Sequence, residues 1–271
     1  MKLIDAFMYF DEDLMLDIRL HTLNQHVDKF IIAEGTRDHA GNKKKLSFNI
    51  NNFKKFQNKI EYLIIDDIPK EIGFFKKRWE PAHIRDQFQR NALSRGFSSL
   101  NDNDLVMISD IDEIPDPDKI SEFDVKNNYA CFILKNYQSK FNQINVTERS
   151  WSGTKICQKK KLKSPQWLRD IKTQKRPIWK FYKPKQPQLI LDGGWHFSFL
   201  KKPKDISKKI KSFAHQEFNN EKFTNISLIE NNIDNMNDIF GRNFSYEKVE
   251  LDNSFPKYIL ENQEKFSEWI L

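Results

Sequence analysis

Apolar positions along this chain switch between two spacings, and the switching predicts a run of strands and helices. Leu3 to Phe10 is an apolar run of strand length, and Glu12 to Val27 follows it with Leu16, Leu20, Leu23 and Val27 at helical spacing. Phe30 to Ala33 forms a second strand that ends in Glu34 and Gly35. Strand, helix and strand joined this tightly predict a parallel pair with a right-handed crossover. Asn51 to Asn58 predicts a short helix, and Ile60 to Ile65 a third strand stopped by Asp66, Asp67 and Pro69. A longer helix, Pro81 to Ser98, opens on a proline whose missing N–H does no harm in a first turn. Its apolar stripe is Ile84, Phe88 and Ala92, which leaves Arg85, Gln89 and Arg90 on other faces. Leu105 to Ile108 and Tyr129 to Leu134 are further strands, with a single helical turn at Asp118 to Phe123 between them.

Beyond Ser139 the periodicity weakens. From there to Lys185, Trp151, Trp167, Trp179 and Tyr182 are interleaved with Lys159 to Lys163, Arg169 and Arg176, a pattern that suits an acceptor-recognition surface or an irregular β-meander with its aromatics inside. Two strand-like segments flank Asp192-Gly193-Gly194 within Leu189 to Leu200, and three amphipathic helices follow at Pro203 to Phe218, Phe223 to Met236 and Tyr258 to Trp269. With no internal repeat and no clear linker, the chain reads as one domain, 1–271, with a compositional shift dividing 1–138 from 139–271. The expected class is α/β: an open, mixed, mostly parallel sheet flanked by helices, with too few helices for an eight-fold barrel.

Acids end most of the early strands. In Asp104-Leu-Val-Met-Ile-Ser-Asp-Ile-Asp-Glu-Ile-Pro115 the apolar run meets three carboxylates at once, and Asp110 and Asp112, two residues apart, project to one side of a strand. Carboxylates so placed can share a divalent ion, the plain alternative being a solvated acidic turn. Glu34, Thr36, Arg37 and Asp38 stand just past a strand's carboxyl end, where open α/β sheets bind ligands, or form a polar surface loop. Arg90 and Asn91 are in reach of a phosphate or ribose, or lie on a solvated helix face. His196, behind Trp195, is either a satisfied core histidine or a third ligand for the Asp110/Asp112 metal, a role that suits Mn2+ better than Mg2+. The loop from Lys70 to Glu80, with Phe74, Phe75 and Trp79 among Lys76, Lys77 and Arg78, either covers a site or covers the core.

Composition narrows the classes. The 271 residues are 38% hydrophobic and 13% aromatic with 23 Phe, which excludes a disordered chain, and the net charge of +7 suits an anionic ligand or merely a soluble surface. Cys131 and Cys157 have no metal-ligand spacing and read as reduced core residues in a reducing compartment. Asp5, Asp11, Glu12 and Asp13 break any signal-peptide core, and no apolar run approaches the roughly 18 residues of a membrane span. Neither a Gly-x-Gly-x-x-Gly fingerprint nor a phosphate-loop lysine motif is present, so a diphosphate would have to be held by metal and side chains. A cation that neutralises a nucleoside-diphosphate leaving group points to a nucleotide-sugar transferase.

Four stretches in order, Phe10 to Leu20, Val27 to Glu34 with Gly41, Ser109-Asp-Ile-Asp-Glu-Ile-Pro115 and Gly194-Trp-His-Phe-Ser198, resemble the β-1,4-mannosyl-glycoprotein N-acetylglucosaminyltransferase family, glycosyltransferase family 17. The likeness runs from about Asp5 to Tyr258 and is specific through the Asp-x-Asp-Glu-Ile-Pro and Gly-Trp-His strings together. It implies a GT-A-type fold, a nucleotide-sugar donor that in the family is UDP-GlcNAc, a glycan or polysaccharide acceptor, dependence on Mn2+ or Mg2+, and inversion at the anomeric carbon. With the compositional shift near Ser139, 1–138 reads as the nucleotide-sugar-binding half and 139–271 as the acceptor and closing half. Carried over by position, Asp110 faces the ribose or metal, Asp112 is the principal metal ligand and His196 the C-terminal ligand. From their places past a strand end and on the helix before the acidic strand, Glu34, Arg37, Arg90 and Asn91 are donor-side candidates. An inverting transfer also needs a base, for which Glu217 is the first choice and Asp192 the second, both being acids near the Gly-Trp-His segment. Eukaryotic members carry an N-terminal membrane anchor and a different middle region. Their bisecting N-glycan acceptor is therefore not carried over, and a cytoplasmic enzyme, including one peripheral to a membrane, is expected. The alternatives from other classes are an Asp-x-Asp phosphatase with Asp110 as nucleophile, and a basic RNA-binding protein using Lys159 to Arg176; the transferase reading expects no nucleic acid.

Overall fold

The computed structural model describes residues 1–70, 72–73, 80–174 and 184–271. Strands β1 (Leu3–Tyr9) and β2 (Lys29–Gly35) are joined by helix α1 (Asp13–Leu23), and β3 (Ile60–Ile65) follows after a 3-10 segment, Ile50–Lys59. With β4 (Leu105–Ser109) these strands form a parallel block in the order β3-β2-β1-β4. β1 shows why such a strand has no polar alternation: Ile4 and Ala6 enter one core cluster, Leu3 and Phe7 another. A strand covered on both faces is apolar on both.

The sheet continues without a break into the second half. β8 (Ser150–Gln158) lies antiparallel between β4 and β6 (Ala130–Gln138), and β6 also pairs with β7 (Gln143–Asn145), β9 (Gln188–Ile190) and β10 (Gly194–Ser198). β10 runs parallel to β6 and antiparallel to the short β5 (Glu113–Pro115), and β11 (Tyr246–Lys248) closes the edge against β7. The result is the expected α/β architecture: a large mixed sheet, parallel throughout its first block, flanked by helices.

Several elements differ from the periodicity. The region after Ser139 is no loose meander, for β8 is a nine-residue strand followed by helix α3 (Pro165–Asp170). The long helix expected to Phe218 stops as α4 (Pro203–Ser212), where Phe213 turns extended, and a 3-10 turn, Gln216–Phe218, comes after. The helix expected from Phe223 splits into α5 (Glu221–Thr224) and α6 (Ile226–Asp234) at Asn225, whose side chain accepts from the Leu228 N–H. α7 (Lys257–Leu260) is a single turn. Ile206 and Ile210 of α4, Ile229 and Ile233 of α6, and Ile239 and Phe240 form a cluster of their own, against which Phe223 of α5 packs, whereas Ile259 of α7 joins the main core.

Helix α2 (Glu80–Ala92) is rotated from its expected apolar stripe: Arg85, Gln89 and Arg90 are buried, while of the stripe Ala92 is buried, Phe88 packs half-buried against the same core and Ile84 is half-buried. Spacing alone misses this rotation, because it cannot see that backbone carbonyls and acids wait on the inner side. Gln89 donates to the Ala33 carbonyl, Arg85 to the carbonyls of Pro69, Lys70 and His39. Of the earlier candidates, Phe74, Phe75, Lys76, Lys77, Arg78, Trp79, Arg176, Trp179 and Tyr182 lie outside the described residues. Among the described residues, no helix is long and apolar enough to cross a membrane.

Candidate functional site

A cleft of about 270 Å3 opens at the carboxyl ends of the parallel strands. Phe10 after β1, Gly35 at the end of β2 and Asp110 after β4 line it, together with Arg90 from α2 and Lys209 from α4. Ligands bind at this end of open α/β sheets because the connecting loops diverge there.

The acidic turn on its floor is held from below by Arg19, a fully buried side chain of α1. Its guanidinium forms two bonds to Asp5, at 2.7 and 2.6 Å, and also donates to Ser109 Oγ and to the carbonyls of Asp110, Ile111 and Glu113. The backbone after β4 is therefore fixed before any ligand arrives. Glu113 faces inward and is saturated: Arg169 grips both oxygens, at 2.7 and 2.9 Å, and Trp151 Nε1 donates to it at 2.8 Å. It shapes the turn.

Asp110 and Asp112 occupy different surroundings. Arg90 donates to one Asp110 oxygen and Arg169 to the other, both at 3.1 Å, and these guanidinium charges hold the carboxyl well below its ordinary range despite burial. Asp112 faces His196, with Oδ1 3.9 Å from Nε2, and Lys209, with Oδ2 3.5 Å from Nζ. The carbonyl of Asp112 also accepts from the Phe197 N–H, which ties the turn to β10.

His196 has a defined orientation. Its ring stacks on Trp151 at 4.4 Å, and Nδ1 meets Asn136 Oδ1 at 3.0 Å. Asn136 uses its amide N–H on the Glu148 carbonyl, which assigns its oxygen to His196 and makes Nδ1 the donor. The bare Nε2 lone pair then faces Asp112. Burial lowers the pKa of His196, which favours the neutral ring a metal ligand needs. The donor set thus fits a divalent cation in part: Asp112 Oδ1 and His196 Nε2 face each other with lone pairs to offer, Asp112 Oδ2 lies against Lys209, and both Asp110 oxygens are engaged by arginines. Two protein ligands suffice for a cation that takes its remaining oxygens from substrate phosphates and water.

The other sequence candidates are not all gathered here. Glu34 is buried away from the cleft, accepting from Lys44, from Tyr62 and from the Ser47 and Phe48 N–H groups, and so holds the following loop. Arg37 donates to the Gly41 carbonyl outside the cleft lining. Asn91 accepts from the Gln166 N–H and positions α3. Asp192 is exposed in the turn before β10, also outside the lining. The glycines beside it bring backbone against backbone, not against a ligand: a Cβ on Gly194, at φ +135°, would sit 2.2 Å from the Ile114 carbonyl oxygen. Glu217 accepts from His215 Nδ1 at 2.8 Å, and that bond, with a backbone bond, lowers its pKa against the effect of burial.

Arg19, Asn136, Trp151, Arg169, Lys209 and His215 were not assigned to this site from the sequence. Their only early signal was residue type, since each acts on partners far away along the chain. Arg169, in the basic and aromatic stretch, is largely buried and bonds Asp110 rather than standing on an open surface. Lys209 reaches 3.9 Å from Glu12 as well as contacting Asp112, and with Lys201 it draws the Glu12 carboxyl down to about 2. Both cysteines are buried and unpaired, as expected, and burial raises their thiols to about 11 and 12.

The chain is 24% identical over 240 residues to the β-1,4-mannosyl-glycoprotein 4-β-N-acetylglucosaminyltransferases of Homo sapiens, Rattus norvegicus and Mus musculus. The match covers 80% of this chain and 44% of each relative, so the chain spans less than half the length of those enzymes. The model of glycosyltransferase family 17 matches residues 1–270, and the chain belongs to that family.

Proposed function

We propose that this chain is a metal-dependent, inverting glycosyltransferase of GT-A type that moves a sugar, GlcNAc from UDP-GlcNAc by the reading of its relatives, to a glycan acceptor in β linkage. The observation that carries this is the pairing of Asp112, on the floor of the strand-end cleft, with the oriented lone pair of His196, which is buried behind it and outside the cleft lining. Mn2+ suits this mixed carboxylate and imidazole set better than Mg2+. The cation, when bound, supplies Lewis-acid neutralisation of the diphosphate leaving group. The protein's share is preorganisation: Arg19 fixes the turn backbone, Asn136 and Trp151 fix His196, and Arg90 and Arg169 keep Asp110 ionised and aimed. Lys209, released from Asp112, is placed to meet a donor phosphate. The phosphatase alternative is weakened because its nucleophile, Asp110, has both oxygens engaged by arginines.

A panel of UDP- and GDP-sugars with Mn2+, scored by nucleotide release and by the anomeric configuration of the product, tests the reading. One preferred nucleotide sugar with metal-dependent release and a β product is expected. Phosphate release from simple monoesters, or no discrimination among donors, would overturn it. Asp112→Asn should keep the fold by circular dichroism and lose both transfer and Mn2+-dependent UDP binding.

A further inference from the structure

Two histidines of the cleft wall, His83 and His215, form with the neighbouring Glu217 a second group of metal-ligating side chains, apart from Asp112 and His196. His83 stands on the first turn of α2, and His215 and Glu217 follow the end of α4. One donor atom from each of the three lies within 4.8 Å of the others, the one such group of three His, Cys, Asp or Glu residues among the described residues. The His83 and His215 rings meet at 5.0 Å and 87°, and both line the cleft. His215 is set by its 2.8 Å contact to Glu217 and by the Phe213 ring at 5.6 Å.

We propose that His83, His215 and Glu217 form a site for a divalent transition-metal ion of the zinc class, separate from the Asp112 and His196 pair. Two imidazoles and one carboxylate are the donors Zn2+ accepts, and three protein ligands leave a position open toward the cleft. Imidazole-rich sites also bind Zn2+ more tightly than Mn2+, and suit neither Mg2+ nor Ca2+. Ligand atoms about 2.1 Å from zinc lie roughly 3.4 Å apart. The present spacing closes to that by side-chain rotation, for which the half-exposed His215 and Glu217 have room. A bound ion would clamp the first turn of α2 to the segment after α4. The two are already linked through the β2 loop, where His39 N–H donates to the Ser212 carbonyl and His39 Nε2 meets Gln89 of α2. As a ligand, Glu217 would be unavailable as the base of a transfer reaction.

Calorimetric titration of the metal-stripped full chain with Zn2+ alone, in the Asp112→Asn background that silences the other pair, tests the site. One equivalent of Zn2+ should bind. His83→Gln and His215→Gln should each weaken it at least about 100-fold, the upper end of what even a supporting hydrogen bond contributes to metal affinity. No binding in the Asp112→Asn protein, or unchanged affinity in both histidine variants with native circular dichroism, would overturn the proposal. So would a Glu217→Gln variant that keeps its zinc affinity while losing sugar transfer. Because the readout needs neither donor nor acceptor, its failure leaves the transferase reading standing, and failure of that reading leaves this one.

Discussion

Arg19 and Glu12 show how single residues prepare this cleft. Arg19 is sealed with Asp5 in the core and holds three carbonyls of the acidic turn. Removing one member of a buried pair strands the other charge, so Arg19→Met should lower unfolding free energy by about 3–5 kcal/mol in urea titration. It should also weaken UDP binding, since the turn loses its anchor; unchanged stability would mean that water replaces the guanidinium. Glu12 gives a pH dependence. Its folded carboxyl titrates near 2 against an ordinary 4.5, because Lys201, Lys209 and two backbone N–H groups favour the ionised form over the opposing effect of burial. A depressed folded pKa means stability that is complete above 4.5 and lost as pH falls toward 2. Glu12→Gln should flatten that acid limb of the stability curve, and an unchanged limb would assign it to other carboxylates.

At the scale of elements, the site depends on where strands and helices stop. β10 begins at Gly194, where a side chain would strike the β5 backbone, and two residues later delivers His196 opposite Glu113. Gly194→Ala should destabilise the protein by at least about 2 kcal/mol, from positive φ and steric overlap together, and misplace His196. A melting temperature within a degree or so of the parent would show that β10 shifts freely. The break between α5 and α6 rests on the Asn225 cap, and Asn225→Ala should cost about 1 kcal/mol in the same assay. Periodicity fails at such points because a cap or an extended residue interrupts a helix without disturbing its apolar spacing.

Across the whole molecule, the compositional shift near Ser139 is not matched by a break in the sheet. β8, from the second half, pairs with β4 in the first, and β6 pairs with β10 beside the cleft. A fragment of residues 1–138 should therefore fail to give a cooperative melt, because β4 would lose a neighbour and Asp110 would lose Arg169. The basic middle region changes meaning for the same reason. Arg169 faces inward to Asp110 and Glu113, which removes a charge from the surface an RNA-binding reading requires.

The sequence by itself determined the parallel strand block and the acidic turn at the end of β4, because strand period and local motif are properties of neighbouring residues. It also supplied the family, through strings long enough to be specific. Tertiary structure decided which of those acids are free. Asp110 and Asp112 look alike two positions apart, yet one is gripped by Arg90 and Arg169 and the other faces an open imidazole lone pair. Glu34, equally acidic at a strand end, is spent on holding a loop, and the arginine face of α2 turns inward. Those outcomes depend on the charges and carbonyls that distant segments bring within hydrogen-bond reach, and only the closed fold fixes them.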